Sequence, residues 1–364
     1  MGSRHSKANK SNPTTPSKRR TSSRHTPRTP TSATTPRYLP RTPTTTPTRY
    51  TKLLKPEPSP EPPLATFTLN IEALAPLQST YFIAPNEIVP IRPIDSSYLR
   101  TEMSNWCGQP VLVKSVDSSK TAAEQDVMRQ KLTAEITSMT RMSHPNIVQF
   151  LGFSTTPAND LCCVTEYVEG RTLRHLLNTP KAFAKLCWSS SKLSLAIDIA
   201  SALAAMHALK PTLIHRNVKA SKVLLTNRHV AKLSGFGAAR DQTFEYDMTS
   251  GVSDLQWSAP ELLMDGEDYN EKIDVYAFGM LLTEIDTGDI PFATEMATMK
   301  QAELAMKLAA GAIRPKLSPS CPMRIQKIAL SCLQHDKHLR PSIAIVLRHL
   351  QQVQLSTLAA RGQK

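Results

Sequence analysis

Charged side chains that could bind anions or transfer protons occur in short motifs, in one order, between residues 111 and 341. Each motif alone is weak evidence, whereas the order and spacing of the whole set are specific. In chain order the motifs are Val111-Leu112-Val113-Lys114, Glu135, His144-Pro145-Asn146-Ile147-Val148, Ile214-His215-Arg216-Asn217-Val218-Lys219, Gly235-Phe236-Gly237, Ala259-Pro260-Glu261, Asp274-Val275-Tyr276-Ala277-Phe278-Gly279 and Arg340-Pro341.

The elements that position these motifs can be predicted from hydrophobic periodicity. Residues 111–116 and 161–168 are predicted to form strands, and residues 122–141 to form a helix. Apolar residues recur at helical spacing in two further segments, 193–207 and 275–285. Because strands come first and helices follow, we expect a mixed α+β fold.

The ordered motifs resemble those of the eukaryotic protein kinase domain, most closely the tyrosine-kinase-like branch of Ser/Thr kinases. The resemblance covers residues 85–352 and implies a bilobal fold, with a small β-rich N-lobe and a larger helical C-lobe. We expect a disordered basic tail at 1–66, a connector at 67–84 and a C-terminal tail at 353–364.

The resemblance implies a residual nucleotide site. Lys114 matches the strand lysine that holds the phosphates, and Glu135 matches the helix acid that pairs with it. Thr165 matches a position that flanks the adenine pocket, and the hinge-like Glu166 and Val168 follow it.

Two departures from the family weaken this site. Leu112 stands where the family usually has a small alanine against the adenine ring. The three glycine positions of the phosphate-covering loop fall on Ile94, Ser96 and Leu99, whose side chains hinder close approach of the backbone. We therefore predict at most weak binding of ATP and expect no cofactor.

The catalytic loop departs from the family as well. Asn217 replaces the aspartate that accepts the substrate proton, and an amide is not a base near pH 7. Lys219 is retained, but Lys222 replaces a metal-binding asparagine, and Gly235 replaces the other principal Mg²⁺ ligand. An ammonium cannot ligate a cation, so the resemblance implies a degraded Mg²⁺ site.

Residues with structural roles in the family are kept. His215 is expected to be a packed core histidine, in a spine with Met139, Phe150 and Phe236. Arg216 matches the usual partner of a phosphate on the following segment, where the candidate acceptors are Thr243, Tyr246, Thr249, Ser250 and Ser253. Two further matches are a buried ion pair, Glu261 with Arg340, and an acid that braces the catalytic loop, Asp274.

These observations predict a catalytically impaired kinase-like signalling protein, or pseudokinase, that acts as a scaffold or allosteric partner of other proteins, including kinases. An alternative is a divergent but active ATP-dependent Ser/Thr kinase in which Lys222 supplies the charge of a metal ion. A third is a polyanion or nucleic-acid binder that uses the basic tail. Because the tail lacks an aromatic stacking platform, no specific nucleic acid is expected.

The net charge of the 364-residue chain, +14, comes from its first residues. Residues 1–56 contain 13 Lys and Arg and no acid, which leaves 31 basic and 30 acidic residues for the rest. Residues 1–66 are rich in Thr, Ser, Pro and Arg, a composition that cannot bury enough apolar surface to fold. The charge is therefore no argument for a nucleic-acid-binding domain.

The start of the tail matches the pattern for N-myristoylation at Gly2, with a hydroxyl residue at Ser6. One acyl chain gives only marginal membrane binding, and the lysines and arginines that follow could supply the second signal at an anionic surface. An ordinary basic leader without a lipid remains the alternative. We expect a cytoplasmic protein, or one at the inner face of the plasma membrane.

The tail also contains candidate sites for proline-directed phosphorylation and for SH3-like modules. The phosphorylation sites precede prolines, at Thr15, Thr26, Thr29, Thr35, Thr42, Thr46 and Ser59. Full modification would cancel the tail's positive charge and release it from an anionic membrane. Residues 24–30 and 37–43 both match the R-x-x-P-x-x-P pattern that SH3-like grooves bind.

The six cysteines include no C-x-x-C pair and follow no signal-peptide core, so we expect reduced thiols and not a disulfide framework or a zinc site. No apolar run approaches the roughly 18–20 residues that a transmembrane helix needs.

Overall fold

The computed structural model describes residues 72–96, 98–241, 254–264 and 268–362. The predictions for the tail lie outside these residues: its disorder, Gly2, the seven phosphorylation sites and the segments 24–30 and 37–43. The candidate phosphate acceptors between residues 243 and 253 also lie outside them.

The smaller lobe contains an antiparallel sheet with the strand order β1-β2-β3-β5-β4. The strands are β1 (Ile88–Ile94), β2 (Arg100–Trp106), β3 (Gln109–Ser115), β4 (Phe150–Thr155) and β5 (Leu161–Glu166). On β3, Val111, Val113 and Ser115 are buried. Because side chains alternate along a strand, Leu112 and Lys114 lie together on the opposite face.

The segment before β1 packs against this sheet. A 3₁₀ turn at Glu72–Leu77 leads into the short helix α1 (Gln78–Tyr81). Leu74 is fully buried in the core of the small lobe, and the amide of Ile83 donates a hydrogen bond to the carbonyl of Phe153 (2.9 Å). The described part of the predicted connector therefore belongs to the small lobe, because its apolar side chains leave water.

Helix α2 (Ala122–Met139) confirms the helix predicted at 122–141 and ends two residues earlier. Thr121 and Glu124 form a reciprocal capping box that satisfies free amides of the first turn. The buried apolar residues lie at helical spacing along one face: Met128, Leu132, Ile136 and Met139.

The larger lobe is mainly helical. Its helices are α3 (Leu173–Leu177), α4 (Pro180–Phe183), α5 (Ser191–His207), α6 (Lys272–Thr287), α7 (Ala293–Thr298), α8 (Gln301–Ala309), α9 (Met323–Cys332) and α10 (Ile343–Gly362). Two short antiparallel pairs join β6 (Leu213–Ile214) to β9 (Arg240–Asp241) and β7 (Val223–Leu225) to β8 (Ala231–Leu233). The predicted helical segments 193–207 and 275–285 fall within α5 and α6, and α6 is buried over almost its whole length.

Helix α10 crosses the boundary predicted at residue 352. Val346 and Leu350 are buried in the main core, and Val353 packs against it. Together the two lobes confirm the predicted bilobal α+β fold. In the part of the chain that the structure describes, no helix has the length and apolar character needed to cross a membrane.

Candidate active site

An ion pair joins the sheet of the small lobe to helix α2. Nζ of Lys114 on β3 lies 2.5 Å from Oε1 of Glu135 on α2. Burial acts to lower the pKa of Lys114, but the neighbouring Glu135 carboxylate opposes this effect and the pKa is raised overall. Lys114 therefore stays protonated, as phosphate binding requires.

The predicted adenine-side residues are only partly brought together. The register of β3 with β5 pairs Leu112 with Thr165, so their side chains lie side by side on the face that carries Lys114. The carboxylate of Glu166 instead accepts a hydrogen bond from Nζ of Lys232 (2.7 Å). Val168 is buried in the core of the larger lobe, so its side chain packs there.

Side chains hold the loop between β1 and β2. Ile94 pairs with Thr101 at the base of the loop, and Leu99 packs against the core of the small lobe. Nζ of Lys131 on α2 lies 4.3 Å from the centroid of the Tyr98 ring, a cation–π contact. The side chains of Tyr98 and Leu99 therefore fix this end of the loop to the small lobe. By the family resemblance, the backbone of this loop would have to approach the phosphates closely.

His215 packs inside the protein beside Phe236. It is fully buried, and its ring centroid lies 5.0 Å from that of Phe236 in an edge-to-face arrangement. Met139 and Phe236 are buried in the main core, and Phe150 packs against it. Burial lowers the pKa of His215, so the imidazole is neutral near pH 7 and serves in packing.

Asp274 braces the catalytic loop from the first turn of α6. Its carboxylate accepts hydrogen bonds from the amides of His215 (2.7 Å) and Arg216 (2.9 Å), and Nε2 of His207 lies 3.0 Å away. Burial acts to raise the pKa of Asp274, but the contacts with His207 and His215 outweigh it and the pKa is lowered. The ionised carboxylate holds Arg216 at a positive φ of 65°.

Asn217 and Asp254 line the same small cavity, with a volume of about 30 Å³. Within the described residues, the side-chain amide of Asn217 has no hydrogen-bond partner, and its backbone amide donates to Nδ1 of His215 (3.2 Å). The carboxylate of Asp254 is ion-paired with Nζ of Lys219, which also lies 5.4 Å from the centroid of the Trp257 ring. Asp254 was not among the predicted site residues, although it lies five residues before the Ala259-Pro260-Glu261 motif.

The two positions that the resemblance aligns with metal ligands are in contact. Gly235 has a left-handed backbone, with φ of 84°. A Cβ built on Gly235 would lie 2.9 Å from Cδ and 3.5 Å from Nζ of Lys222. Burial lowers the pKa of Lys222, and the ammonium groups of Lys219 and Lys114 lower it further. Because of these short distances, the side chain of Lys222 occupies the space that a side chain at position 235 would need.

This contact can be tested with Gly235→Ala, which we expect to destabilise the protein by about 2 kcal/mol. One part of this cost arises from the left-handed φ and the other from the contact with Lys222. In a Lys222→Ala background the cost should fall to about 1 kcal/mol, the backbone part alone. Urea unfolding of the two single variants, the double variant and the wild type measures the difference.

Gly108 provides a matched control for this cycle. It also has a positive φ, 78°, but a Cβ built there would meet no atom within 4 Å. Gly108→Ala should therefore have the same cost in both backgrounds. If Gly235→Ala also had the same cost in both, Lys222 would contribute nothing to the constraint at Gly235.

These side chains do not fit Mg²⁺. Magnesium requires oxygen ligands in near-octahedral geometry, whereas Lys222 brings an ammonium and Gly235 brings no side chain. The nearby carboxylates of Glu135 and Asp254 are each paired with a lysine. Across the residues that the structure describes, no group of three or more His, Cys, Asp or Glu side chains could hold a metal ion.

The comparison with protein families agrees with this architecture. Residues 97–350 match the family described as protein tyrosine and serine/threonine kinase. The chain belongs to the protein kinase family. Within this kinase domain, the Lys114–Glu135 pair joins β3 to α2, and His215 packs against Phe236.

Several curated relatives are similar over the kinase domain. A probable serine/threonine-protein kinase of Dictyostelium discoideum is 32% identical, over 68% of this chain and 26% of its own length. The serine/threonine-protein kinase STY17 of Arabidopsis thaliana is 28% identical, over 71% of this chain and 43% of its own. The dual specificity protein kinase pyk3 of Dictyostelium discoideum is 30% identical, over 70% of this chain and 18% of its own length. The kinase chain thus matches less than half the length of each of these relatives.

A buried ion pair stabilises the larger lobe of the kinase domain. Arg340 and Glu261 form a bidentate pair, with Nη1 to Oε1 at 2.6 Å and Nη2 to Oε2 at 2.7 Å. The arginine side chain is fully buried and that of the glutamate is 3% exposed. The pair connects the segment that contains Glu261 to the residues just before α10.

Proposed function

We propose that this chain is a catalytically impaired kinase-like signalling protein, a pseudokinase of the tyrosine-kinase-like branch, that acts as a scaffold or allosteric partner. The contact of the Lys222 side chain with Gly235 carries the proposal. Phosphoryl transfer depends on metal ions that neutralise charge on the transferred phosphate. In this protein neither aligned position supplies an oxygen ligand, and the cationic side chain of Lys222 lies against Gly235.

The retained framework supports a role that depends on shape. The Lys114–Glu135 ion pair, the His215–Phe236 contact and the Asp274 brace hold α2, the catalytic loop and α6 in defined positions. Such a domain can present constant surfaces to protein partners without turnover. An assembled framework with a deficient site is consistent with a signalling scaffold.

The proposal predicts no phosphoryl transfer by the full-length protein to itself or to a generic substrate, with Mg²⁺ and γ-labelled ATP. The combined variant Asn217→Asp, Lys222→Asn and Gly235→Asp should recover little activity, because Leu112 and the loop around Ile94, Ser96 and Leu99 remain. An active Ser/Thr kinase in the same assay serves as the positive control. The measurement is the label found on the protein or the substrate after gel electrophoresis of the reaction.

Transfer by the wild type would contradict the proposal if it belonged to this chain and not to a contaminant. The variants Lys114→Met and Asn217→Ala distinguish these cases, because both residues lie in the candidate site. Label that persists in both variants identifies a contaminant. Label that both variants abolish would establish catalysis and overturn the pseudokinase proposal.

An active Ser/Thr kinase is the second candidate function. It is favoured by the intact ion pair of Lys114 with Glu135, and by Asp254, whose carboxylate lines the same cavity as Asn217. The relatives described above are also named as protein kinases. If this candidate is right, Asp254→Asn should remove the transfer of label that the wild type shows.

The tail supports a proposed location and proposed partners. The Gly2 pattern and the basic residues of 1–56 favour attachment to an anionic membrane at the cytoplasmic face. The segments 24–30 and 37–43 favour SH3-like partners, and the seven Thr-Pro and Ser-Pro sites favour regulation by proline-directed kinases. Intact-mass measurement of protein from eukaryotic cells tests the lipid, since myristoylation adds a defined mass at Gly2.

A further inference from the structure

The ammonium groups of Lys114, Lys219 and Lys222 lie in the candidate site, and among the described residues two of the three have a carboxylate partner. Lys114 is paired with Glu135, and Lys219 is paired with Asp254. Burial and the ammonium groups of Lys219 and Lys114 lower the pKa of Lys222, and the carboxylates of Asp254 and Glu135 oppose this effect. In the described part of the chain, no carboxylate lies within ion-pair distance of Lys222. Among the described residues, the candidate site therefore contains one positive charge without a carboxylate partner, near two ion pairs.

The fold holds this charge in place. The carbonyl of Lys222 accepts hydrogen bonds from the amide (2.8 Å) and the hydroxyl (2.9 Å) of Ser234, which fix its backbone next to Gly235. Because Gly235 has no side chain, the half-buried aliphatic part of Lys222 can lie against it. The ammonium is thereby directed to the place where a metal-binding side chain at position 235 would start.

We propose that this cleft binds the phosphate chain of a nucleotide without a divalent cation, and that the ammonium of Lys222 supplies the positive charge at this place. The three lysines and two acids that the structure describes at the site carry one net positive charge, which attracts a polyphosphate anion. A divalent cation carried by the nucleotide would be repelled by Lys222 at short distance. Magnesium should therefore oppose binding.

This inference extends the proposed function but does not depend on it, because binding can occur with or without phosphoryl transfer. The inference rests on the lack of suitable Mg²⁺ ligands and on the position of Lys222, and it concerns only the binding of a ligand. Detection of transfer would overturn the pseudokinase proposal and would leave a metal-free binding result intact. Failure of metal-free binding would overturn this inference and would leave the pseudokinase proposal intact.

The test is a titration of the full-length protein with ATP in EDTA and again in excess Mg²⁺, by isothermal calorimetry. We expect binding in EDTA, and an affinity weakened about tenfold by saturating Mg²⁺. Lys222→Met should weaken the metal-free affinity about tenfold, the scale of one charge-assisted hydrogen bond. Binding to Lys222→Met should also no longer be weakened by Mg²⁺.

Two further variants make the result specific to the charge in the cleft. Lys222→Arg keeps a cation and should retain metal-free binding. Lys185→Met removes an exposed lysine from the loop after α4 and should bind as the wild type does. Circular dichroism of each variant before titration checks that it is folded. If Lys222→Met does not fold, the comparison of wild-type affinity in EDTA and in excess Mg²⁺ still tests the proposal.

Further ligands distinguish a nucleotide from phosphate alone. Adenosine should not bind detectably in EDTA, and inorganic triphosphate should bind more weakly than ATP but with the same dependence on Lys222. Equal affinity for triphosphate and ATP would show that the base is not recognised and would overturn the nucleotide part of the proposal. Absence of ATP binding in EDTA, tighter binding with Mg²⁺, or unchanged affinity in Lys222→Met would overturn the proposal as a whole.

Discussion

Replacing Arg340 by methionine is expected to destabilise the protein by about 4 kcal/mol, because it leaves the carboxylate of Glu261 buried without its partner. The arginine is fully buried, and its guanidinium also donates to the carbonyls of Gln334 (2.8 Å), His335 (3.0 Å) and Lys272 (3.1 Å). Methionine fills part of the volume but satisfies none of these acceptors. Urea unfolding followed by circular dichroism measures the change.

Arg324 is a suitable control for this prediction. It is exposed and donates a hydrogen bond to the hydroxyl of Ser356 (2.9 Å) at the surface. Arg324→Met should change the free energy of unfolding by at most about 0.5 kcal/mol. If Arg340→Met cost no more than this, the buried pair would not stabilise the larger lobe. Replacing both Arg340 and Glu261 by apolar residues should be less harmful than Arg340→Met alone, because no buried carboxylate remains.

Replacing Asp274 by asparagine is expected to cost about 3 kcal/mol at neutral pH. The variant keeps the shape of the side chain but replaces a carboxylate that accepts from the amides of His215 and Arg216. An asparagine has one side-chain oxygen and one NH₂ group. At least one of the three donors around position 274, the amides of His215 and Arg216 and Nε2 of His207, would therefore face this NH₂ group. Thermal and urea unfolding at pH 7 measure the cost.

The pH dependence of this cost follows from the pKa of Asp274, which is lower in the folded protein than its ordinary value. A lowered pKa in the folded state adds stability above the unfolded pKa, and this stability is lost as the pH falls through the folded pKa. The stability difference between wild type and Asp274→Asn should therefore be constant above about pH 5 and shrink below about pH 4. A difference that stayed constant or grew below pH 4 would contradict an ionised Asp274.

His207 provides the control for this titration, because its Nε2 lies 3.0 Å from the same carboxylate. The same urea series with His207→Gln shows whether the imidazole or the backbone amides cause the acid-dependent loss of stability. We expect the acid-dependent loss to persist in His207→Gln, since the amides of His215 and Arg216 still donate to Asp274.

Much of the framework could be predicted from local sequence signals. The helix at 122–141 and the strands at 111–116 and 161–168 correspond to α2, β3 and β5, with ends that differ by at most two residues. Apolar residues recur along the sequence with the period of the strand or helix that buries them, so the element can be recognised without knowledge of the fold. The ordered motifs likewise predicted the bilobal architecture that the structure shows.

The contacts that define the site could not be predicted in the same way. Lys219 meets Asp254 across 35 residues of chain, and Lys222 lies against Gly235 only because β7 and β8 pair. Leu74, in a segment predicted to be a connector, is buried by contacts with distant strands and α2. Local patterns report which face of an element is apolar, but they do not specify which distant groups meet it.

The sequence by itself thus determined the kinase architecture, the identity of the residues at the catalytic positions and the location of the excess charge in the first 56 residues. Only the tertiary structure decided that Lys114 and Lys219 are each paired with an acid and that, among the described residues, Lys222 is not. The physical reason is that residue types and their order are local properties, whereas the balance of charge in a cleft depends on distances between groups that the folded chain brings together.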